Sequence, residues 1–418
     1  MIKISTLNNG IRVVTDSSKS AESVKLGVWV KCGSRCETKE QNGISHVLEH
    51  MAFKGTKKRT AFDISAAIEE VGGSINAYTS QSVTAYHVHV LKDDIALGVD
   101  IIADILQNST MDATELAKEK GVIIQEINMV NDTPRDVISD FFEQTAYPDQ
   151  PIGRPVLGNV KNVSSFTSQQ LLDYIQTQYT PDRMVISAAG AVDHQKFLEL
   201  CEKLFARIKQ KKAPDIVPAK YVGGDFRQLR PNDQINLILG FKGVPLYDKN
   251  YYTAKILSLI LGGGMSARLF QEIREKRGLV YSIWSYNSCA QDTGELLIFA
   301  GTGESEVKEL MPVLCHEIVH FTDQIKPTEM KRARACLLAD QMMLQENILA
   351  HTSFNAYDLL FANRIRSKKE IKEAISSVTT EQVQTLAHQI FSSKPTFATI
   401  GPIKNVMCYD DIVASLHQ

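Results

Sequence analysis

The sequence has no apolar run of the roughly 18 residues that a membrane-crossing helix needs, so no transmembrane segment and no membrane partner are expected. It has almost no charge imbalance. Against 46 Lys and Arg stand 48 Asp and Glu, a net charge of -2, which gives no bulk attraction to nucleic acid or to an anionic surface. Cysteine is sparse: seven in 418 residues, odd in number and scattered, a pattern that points to a reducing compartment rather than a disulfide framework. Cys32 and Cys36 are the only close pair and read as two ordinary thiols after a strand. The opening stretch, Met1 to Thr15, lacks both the apolar core of a signal peptide and the Arg/Ser-rich pattern of a transit peptide. It reads instead as strand, Asn8-Asn9-Gly10 turn and strand, and a cytoplasmic protein is expected.

Histidine is scarce as well, 10 residues in all, yet two of them fall in the run Gly43-Ile-Ser-His-Val-Leu-Glu-His-Met-Ala-Phe. Positions i, i+3 and i+4 share a helix face, so His46, Glu49 and His50 would converge on one point. Two imidazoles one turn apart supply half of a tetrahedral zinc site, and a carboxylate beside them can take a proton from a metal-bound water. The order His-x-x-Glu-His inverts the commoner zinc-peptidase motif. Random placement gives on the order of 0.01 such pentads in a chain of this composition, so the match is informative.

A zinc site needs a third ligand. The segment from Asp112 to Val130 predicts a helix, with Asp112 and Glu115 as a capping box and Leu116, Ile123, Ile127 and Val130 as an apolar stripe. Glu119 and Glu126 are two turns apart near one face. Glu126 borders the stripe, which predicts a largely buried carboxylate in want of a cation. The alternative is that both glutamates are solvated and pair with nearby lysines.

On these residues the chain resembles the pitrilysin/insulinase family of inverted zinc peptidases. The likeness is to its short-chain branch, which includes the mitochondrial processing peptidase beta subunit and bacterial homologues. The runs Gly72-Gly-Ser-Ile-Asn-Ala-Tyr-Thr-Ser and Gly153-Arg-Pro-Val-Leu-Gly share in the resemblance. It implies that His46, His50 and Glu126 hold one Zn2+ per chain, that Glu49 is the general base and that Glu119 supports the ligands from behind. It further implies that Asn76 and Ala77 lie on an edge strand to which a peptide substrate adds. Arg274 and Tyr281, in Arg274-Glu-Lys-Arg-Gly-Leu-Val-Tyr, would steady the substrate and its oxyanion. Asp136 and Asp140 match positions that read an arginine in processing-type relatives; the alternative is that Thr133 and Asp136 only cap a helix. Long-chain relatives carry four such domains, with the Arg and Tyr in the half that lacks zinc. A two-domain chain is thus expected to work as a homodimer with shared sites.

The rest of the sequence reads as two copies of one unit. Strand patterns at Val24–Lys31, Ser74–Thr79 and Val83–Val90 recur at Gln234–Phe241, Val280–Tyr286 and Glu295–Ala300, with Gly73 over Gly278. The low-apolar stretch from Lys209 to Lys220 looks like a linker. In the second copy the equivalent helix reads Ala254-Lys-Ile-Leu-Ser and has no metal motif. Gly262-Gly-Gly-Met-Ser lacks a phosphate-loop ending and reads as a helix cap and turn. His87 and His89 read as ordinary strand residues.

The expected protein is α+β, with two homologous domains of mixed β-sheet packed with helices. Residues 1–211 form the zinc-binding domain and 217–418 the metal-free one that supplies Arg274 and Tyr281. It is expected to be a zinc-dependent endopeptidase that hydrolyses unfolded or presequence-like peptides in an enclosed chamber. The alternative is a non-catalytic core or assembly subunit of the same fold, which predicts degraded ligands. A zinc-stabilised binding module would need a fourth protein ligand.

Overall fold

The computed structural model describes residues 1–231 and 234–417. The chain forms two compact units, each built on one mixed sheet.

The first sheet contains β1 (Ile2–Thr6), β2 (Arg12–Ser17), β3 (Ser23–Val30), β4 (Ser74–Thr79), β5 (Thr84–Leu91) and β6 (Met184–Gly190), in the order β1-β2-β6-β3-β5-β4. The second contains β7 (Gly224–Leu229), β8 (Ile235–Lys242), β9 (Ser282–Cys289), β10 (Gly294–Thr302) and β11 (Thr396–Gly401), in the order β7-β11-β8-β10-β9. With β1 set aside the two orders are the same. In each sheet one pair is parallel, β2 with β6 and β7 with β11, and the other pairs are antiparallel. Strand starts at 12, 23 and 184 recur at 224, 235 and 396, a constant spacing of 212. The internal repeat expected from the sequence is therefore a repeat of topology, spaced by 212 in these strands rather than by the 205 that sets Gly73 over Gly278.

The first unit carries α1 (Ile44–Ala52), α2 (Ala61–Glu69), α3 (Ile95–Asn108) and most of α4 (Ala113–Asp132). Thr60 and Asp63 form a reciprocal capping box on α2. The helix stops where Gly72 turns to a φ of 68°, a conformation that costs glycine little. The alternating pattern of β3 predicts a half-buried strand, but its last five residues are all buried. Helix α3 packs on this strand, and so does the helix Ile348–Tyr357.

That second helix is the main departure from a division between residues 211 and 217. The units part at Val217, inside the linker, but they are not continuous stretches. Residues 343–366 belong to the first unit, and residues 129–153, with α5 (Pro134–Ala146), belong to the second. The helix Ile348–Tyr357 lies on β2, β3 and β6, and just beyond it Leu359 and Leu360 pack with Val14, Trp29 and Val185. Helix α5 lies on β7, β8 and β11, packing Val137, Ile138 and Phe142 against Ile238, Leu297 and Ile400. Each repeat thus lends one helix to the other's sheet. Burying a ring such as Phe142 contributes roughly 2–3 kcal/mol. Gly240 makes the room: a Cβ there would meet the ring at 2.5 Å. Among the described residues no helix is long and apolar enough to cross a membrane.

Candidate metal centre

Helix α1 buries Ile44, Val47, Leu48 and Met51 in the core of the first unit, which leaves His46, Glu49 and His50 on the opposite, half-buried face. Its start has no side-chain cap of its own. Gly43 sits there at a φ of 100°, and a Cβ would meet the Gly158 Cα at 2.9 Å. The orphan amides are taken by Glu37 instead. Its carboxylate accepts from Gly43 N at 2.8 Å, Ser45 N at 2.8 Å and the Asn42 amide at 3.1 Å. An anion at a helix N-terminus is favourable, and this one fixes where α1 begins. Burial pushes the Glu37 pKa up, and the three donors hold it back only in part. Sequence reasoning passed over Glu37; its local signal is an acid six residues ahead of the first glycine of the motif.

The Nε2 atoms of His46 and His50 each lie 3.7 Å from Glu126 Oε2 on α4. The two rings are 4.7 Å apart, edge to face at 68°. Among the described residues these three side chains are the group of His, Cys, Asp and Glu whose donor atoms converge, all within 4.8 Å of one another. At 3.7 Å they are too far apart for hydrogen bonds. Two ligands at about 2 Å from one tetrahedral ion sit about 3.3 Å apart, so a slight closing would seat zinc. The donor set, two imidazoles and one carboxylate, suits zinc and not calcium or magnesium, which take oxygen ligands. Burial, then the neighbouring His50, lowers the His46 pKa to about 4, which keeps it neutral as a ligand must be.

Glu119 and Glu126 exchange the burial expected of them. Glu126 is 34 % exposed, whereas Glu119 is 9 % exposed. Only Leu116, Glu119, Ile123 and Ile127 turn into the core, so the stripe runs through Glu119. The cation that Glu119 needs is Lys54, at 2.6 Å, from the turn after α1. Its other oxygen lies 3.1 Å from His50 Nδ1. An ionised carboxylate only accepts, so Nδ1 carries the proton and Nε2 faces Glu126 with its lone pair. Burial opposes ionisation of Glu119, but the bonds from Lys54 and His50 outweigh it and lower its pKa. Lys118 pairs with Glu115 and Lys120 with the Ser164 carbonyl, so neither of these lysines takes Glu119 or Glu126.

Glu49 accepts a 2.6 Å hydrogen bond from Thr79 at the end of β4. Burial raises its pKa; Thr79 and His50 pull it back and Glu126 adds to the rise. Thr79 is a second residue missed in the sequence, because a lone threonine carries no spacing signal. Asn76 and Ala77 lie on the same strand. Within the described residues β4 pairs with β5 alone and forms the edge of its sheet. The Ala77 N–H turns to its neighbour's side chain, Asn76 Oδ1, at 2.8 Å. His87 stacks against Trp29 and His89 bonds Ser23, as ordinary strand residues do.

The remaining candidates lie in the second unit. Arg274 belongs to Phe270–Glu275, a wider π-helical turn, and rests over the Phe270 ring at 4.7 Å. Tyr281 is 75 % exposed and just precedes β9, which begins two residues later than the sequence pattern predicts. On α5 Asp136 is exposed and Asp140 half-buried, its pKa raised to about 6 by burial. The capping alternative does not form: the Thr133 hydroxyl donates to the Met129 carbonyl and makes no cap bond. Gly262 ends its helix, as read from the sequence.

Comparison with known proteins agrees with this geometry. Residues 12–160 match the family described as Insulinase (Peptidase family M16), and residues 165–337 match the Peptidase M16 inactive domain. A Rickettsia felis protein described as an uncharacterized zinc protease is 40 % identical over 400 residues, 96 % of this chain and 97 % of that one. The uncharacterized zinc protease YmxG of Bacillus subtilis is 36 % identical over 97 % of this chain and its own full length. In fold, a protease from Helicobacter pylori matches with a TM-score of 0.88 at 23 % identity, over 96 % of this chain and 99 % of that one. A chain of Complex III2 from Candida albicans matches with 0.89 at 22 % identity, over the whole of both. The chain belongs to the insulinase family of peptidases, M16.

Proposed function

We propose that this chain is a zinc-dependent endopeptidase acting on extended, unfolded peptides. The observation that carries the reading is the convergence of His46, His50 and Glu126 beside a carboxylate, Glu49, that is positioned from the substrate edge by Thr79. His46, His50 and Glu126 would hold the ion and Glu119 would keep His50 in its ligating tautomer. Zinc in such a site supplies Lewis acidity, which makes water a nucleophile near neutral pH and polarises a carbonyl. Glu49 takes the proton of the attacking water and then gives it to the leaving amine. A raised pKa suits a group that must both accept and return a proton. A peptide laid along β4 at Asn76 and Ala77 would be read by its backbone, which tolerates varied sequences.

Arg274 and Tyr281 are proposed as the oxyanion and substrate donors, contributed by the second unit of a partner chain in a homodimer. Closure of the paired chains would enclose the peptide and exclude water. Mixing tests the shared site. Glu49→Gln and Tyr281→Phe chains, each nearly inactive alone, should regain one intact site of two in a mixed dimer. No recovery in a verified mixed dimer rules the arrangement out. Asp136 and Asp140 are proposed to attract arginine, so changing both to Asn should slow cleavage of Arg-containing peptides more than of neutral ones.

A second reading, a non-catalytic assembly subunit, has one observation in its favour: the fold is shared with a chain of Complex III2 from Candida albicans. The complete set of donors weighs against it. Incubating the purified chain with a peptide library, with and without a zinc chelator, and mapping cuts by mass spectrometry decides. Chelator-sensitive cuts support the peptidase; none at all supports the subunit.

A further inference from the structure

The helix Val307–Phe321 of the second unit carries another pair of histidines at the spacing of His46 and His50. In the run Cys315-His-Glu-Ile-Val-His-Phe, His316 and His320 are one turn apart. Leu314, Cys315, Ile318 and Phe321 face the core, which leaves both imidazoles exposed. Their ring centroids are 3.8 Å apart. His320 Nδ1 lies 3.0 Å from the backbone carbonyl of His316. A carbonyl only accepts, so Nδ1 holds the proton and, in the neutral ring, the lone pair is on Nε2. That is the tautomer of a metal-ligating histidine, fixed by the kind of contact that fixes ligands elsewhere.

The pair opens on a surface recess of about 700 Å³ that it shares with Glu272, Glu317, Lys276 and Arg277. Three of the cations there are already engaged. Lys276 sits 2.5 Å from Glu272, and Arg277 donates to the Glu272 carbonyl at 2.6 Å. Arg268, on the same recess, is paired with Glu329 at 2.7 Å. Glu317, half-buried, adds a carboxylate beside the histidines.

We propose that His316 and His320 form a second, open metal site. It takes one divalent transition ion, copper(II) or nickel(II) ahead of zinc(II), through the two imidazoles, with water completing the coordination. Among the described residues only His46, His50 and Glu126 bring three donors together, so no third protein ligand closes this site. Two imidazoles as the protein ligands leave the choice of metal to the general affinity order, in which copper(II) leads. To chelate, the rings must turn out of their 34° stack toward the edge-to-face pose of the first pair. Exposed side chains make such turns freely. His-Glu-x-x-His also spells the commoner zinc-peptidase motif, but without a third ligand this is a site for binding and not for hydrolysis.

The test is a copper(II) titration of the metal-free, full-length chain, followed by calorimetry and electron paramagnetic resonance. Four proteins are compared: wild type, His316→Ala, His320→Ala and the double variant His46→Ala/His50→Ala. The double variant should keep one site whose spectrum shows two nitrogen ligands. His316→Ala and His320→Ala should each weaken that site at least tenfold while leaving the circular dichroism spectrum unchanged, because both residues are exposed. Copper uptake by His316→Ala and His320→Ala with wild-type stoichiometry and affinity overturns the proposal. So does a folded double variant with no such site. The count in the double variant does not depend on what the first unit binds.

Discussion

Helix α1 and the helix Tyr251–Gly262 follow the matching strands β3 and β8, yet they do opposite things. Helix α1 keeps one polar face out of the core, and its Glu49 meets the edge strand β4 through Thr79. The helix of the second unit buries Ala254, Ile256, Leu257, Ser258 and Leu261, and ties itself to the edge strand β9 with neutral groups. The Asn287 side chain donates to the Ala254 carbonyl at 2.6 Å, and the Ser285 hydroxyl to the Ser258 carbonyl at 2.8 Å. The same helix-on-edge contact is thus made with an ionisable centre in one copy and with satisfied neutral bonds in the other. Holding ionisable groups half-buried is costly, and each needs its own donor, Lys54 for Glu119 and Thr79 for Glu49, while Glu37 accepts the free amides of the helix start. The second copy, with no carboxylate or imidazole in its helix, has no need of that apparatus. The architecture is common to both; the chemistry is local.

The sharpest way to break the comparison is Glu49→Gln. Loss of the base should reduce peptide hydrolysis by about 10³-fold while elemental analysis still finds one zinc per chain. Near wild-type turnover would mean that the difference between the units is not catalytic. Next come His50→Ala and Glu126→Gln, which should release the metal and activity together, with zinc affinity down more than about 100-fold. Metal retained at full occupancy in either variant would remove that residue from the ligand set. Glu119→Gln should cost less, about 10- to 100-fold in zinc affinity, because it acts through His50. A loss equal to that of Glu126→Gln would reverse the two assignments.

The smallest expected effect concerns how each unit treats a buried acid. In the second unit Glu295 accepts a hydrogen bond from Tyr147, and Tyr147 contacts Thr293 at 2.9 Å. Burial raises the Glu295 pKa to about 7, with the Tyr147 bond opposing. The folded state therefore binds more protons than the unfolded state between the ordinary carboxylate pKa and about 7. Its contribution to stability is fully present below that window and is lost as the pH rises through about 7. Between about pH 5 and about pH 8 the wild type should lose on the order of 2 kcal/mol relative to Glu295→Gln, read from denaturant unfolding. A constant difference across that range would show that Glu295 is ionised throughout.

Much of the site was legible because its information is local. His46, Glu49 and His50 lie within one turn and a half, and helix geometry alone sets them on one face. Glu126 was legible as a candidate from its place beside the apolar stripe, but its role as third ligand came only from the family resemblance, since nothing in its own helix brings it to the histidines. Its burial was misread for the same reason: the apolar stripe locates a face but not the partner that covers it, and Glu119 proved to be the inner residue. Thr79 carries no spacing signal, and Glu37 only a weak one, an acid six residues ahead of Gly43. They matter because a strand end and a loop are packed against α1.

The sequence by itself determined the two repeats, three strands of each and the spacing of the motif, since periodicity and turn residues act over a few positions; β6, β7 and β11 were not read from it. Only the tertiary structure decided that α5 and the helix Ile348–Tyr357 cover the sheets of the opposite repeats. An apolar helix face specifies that it will be buried, not against which sheet. Shape does that, as where Gly240 leaves space for Phe142.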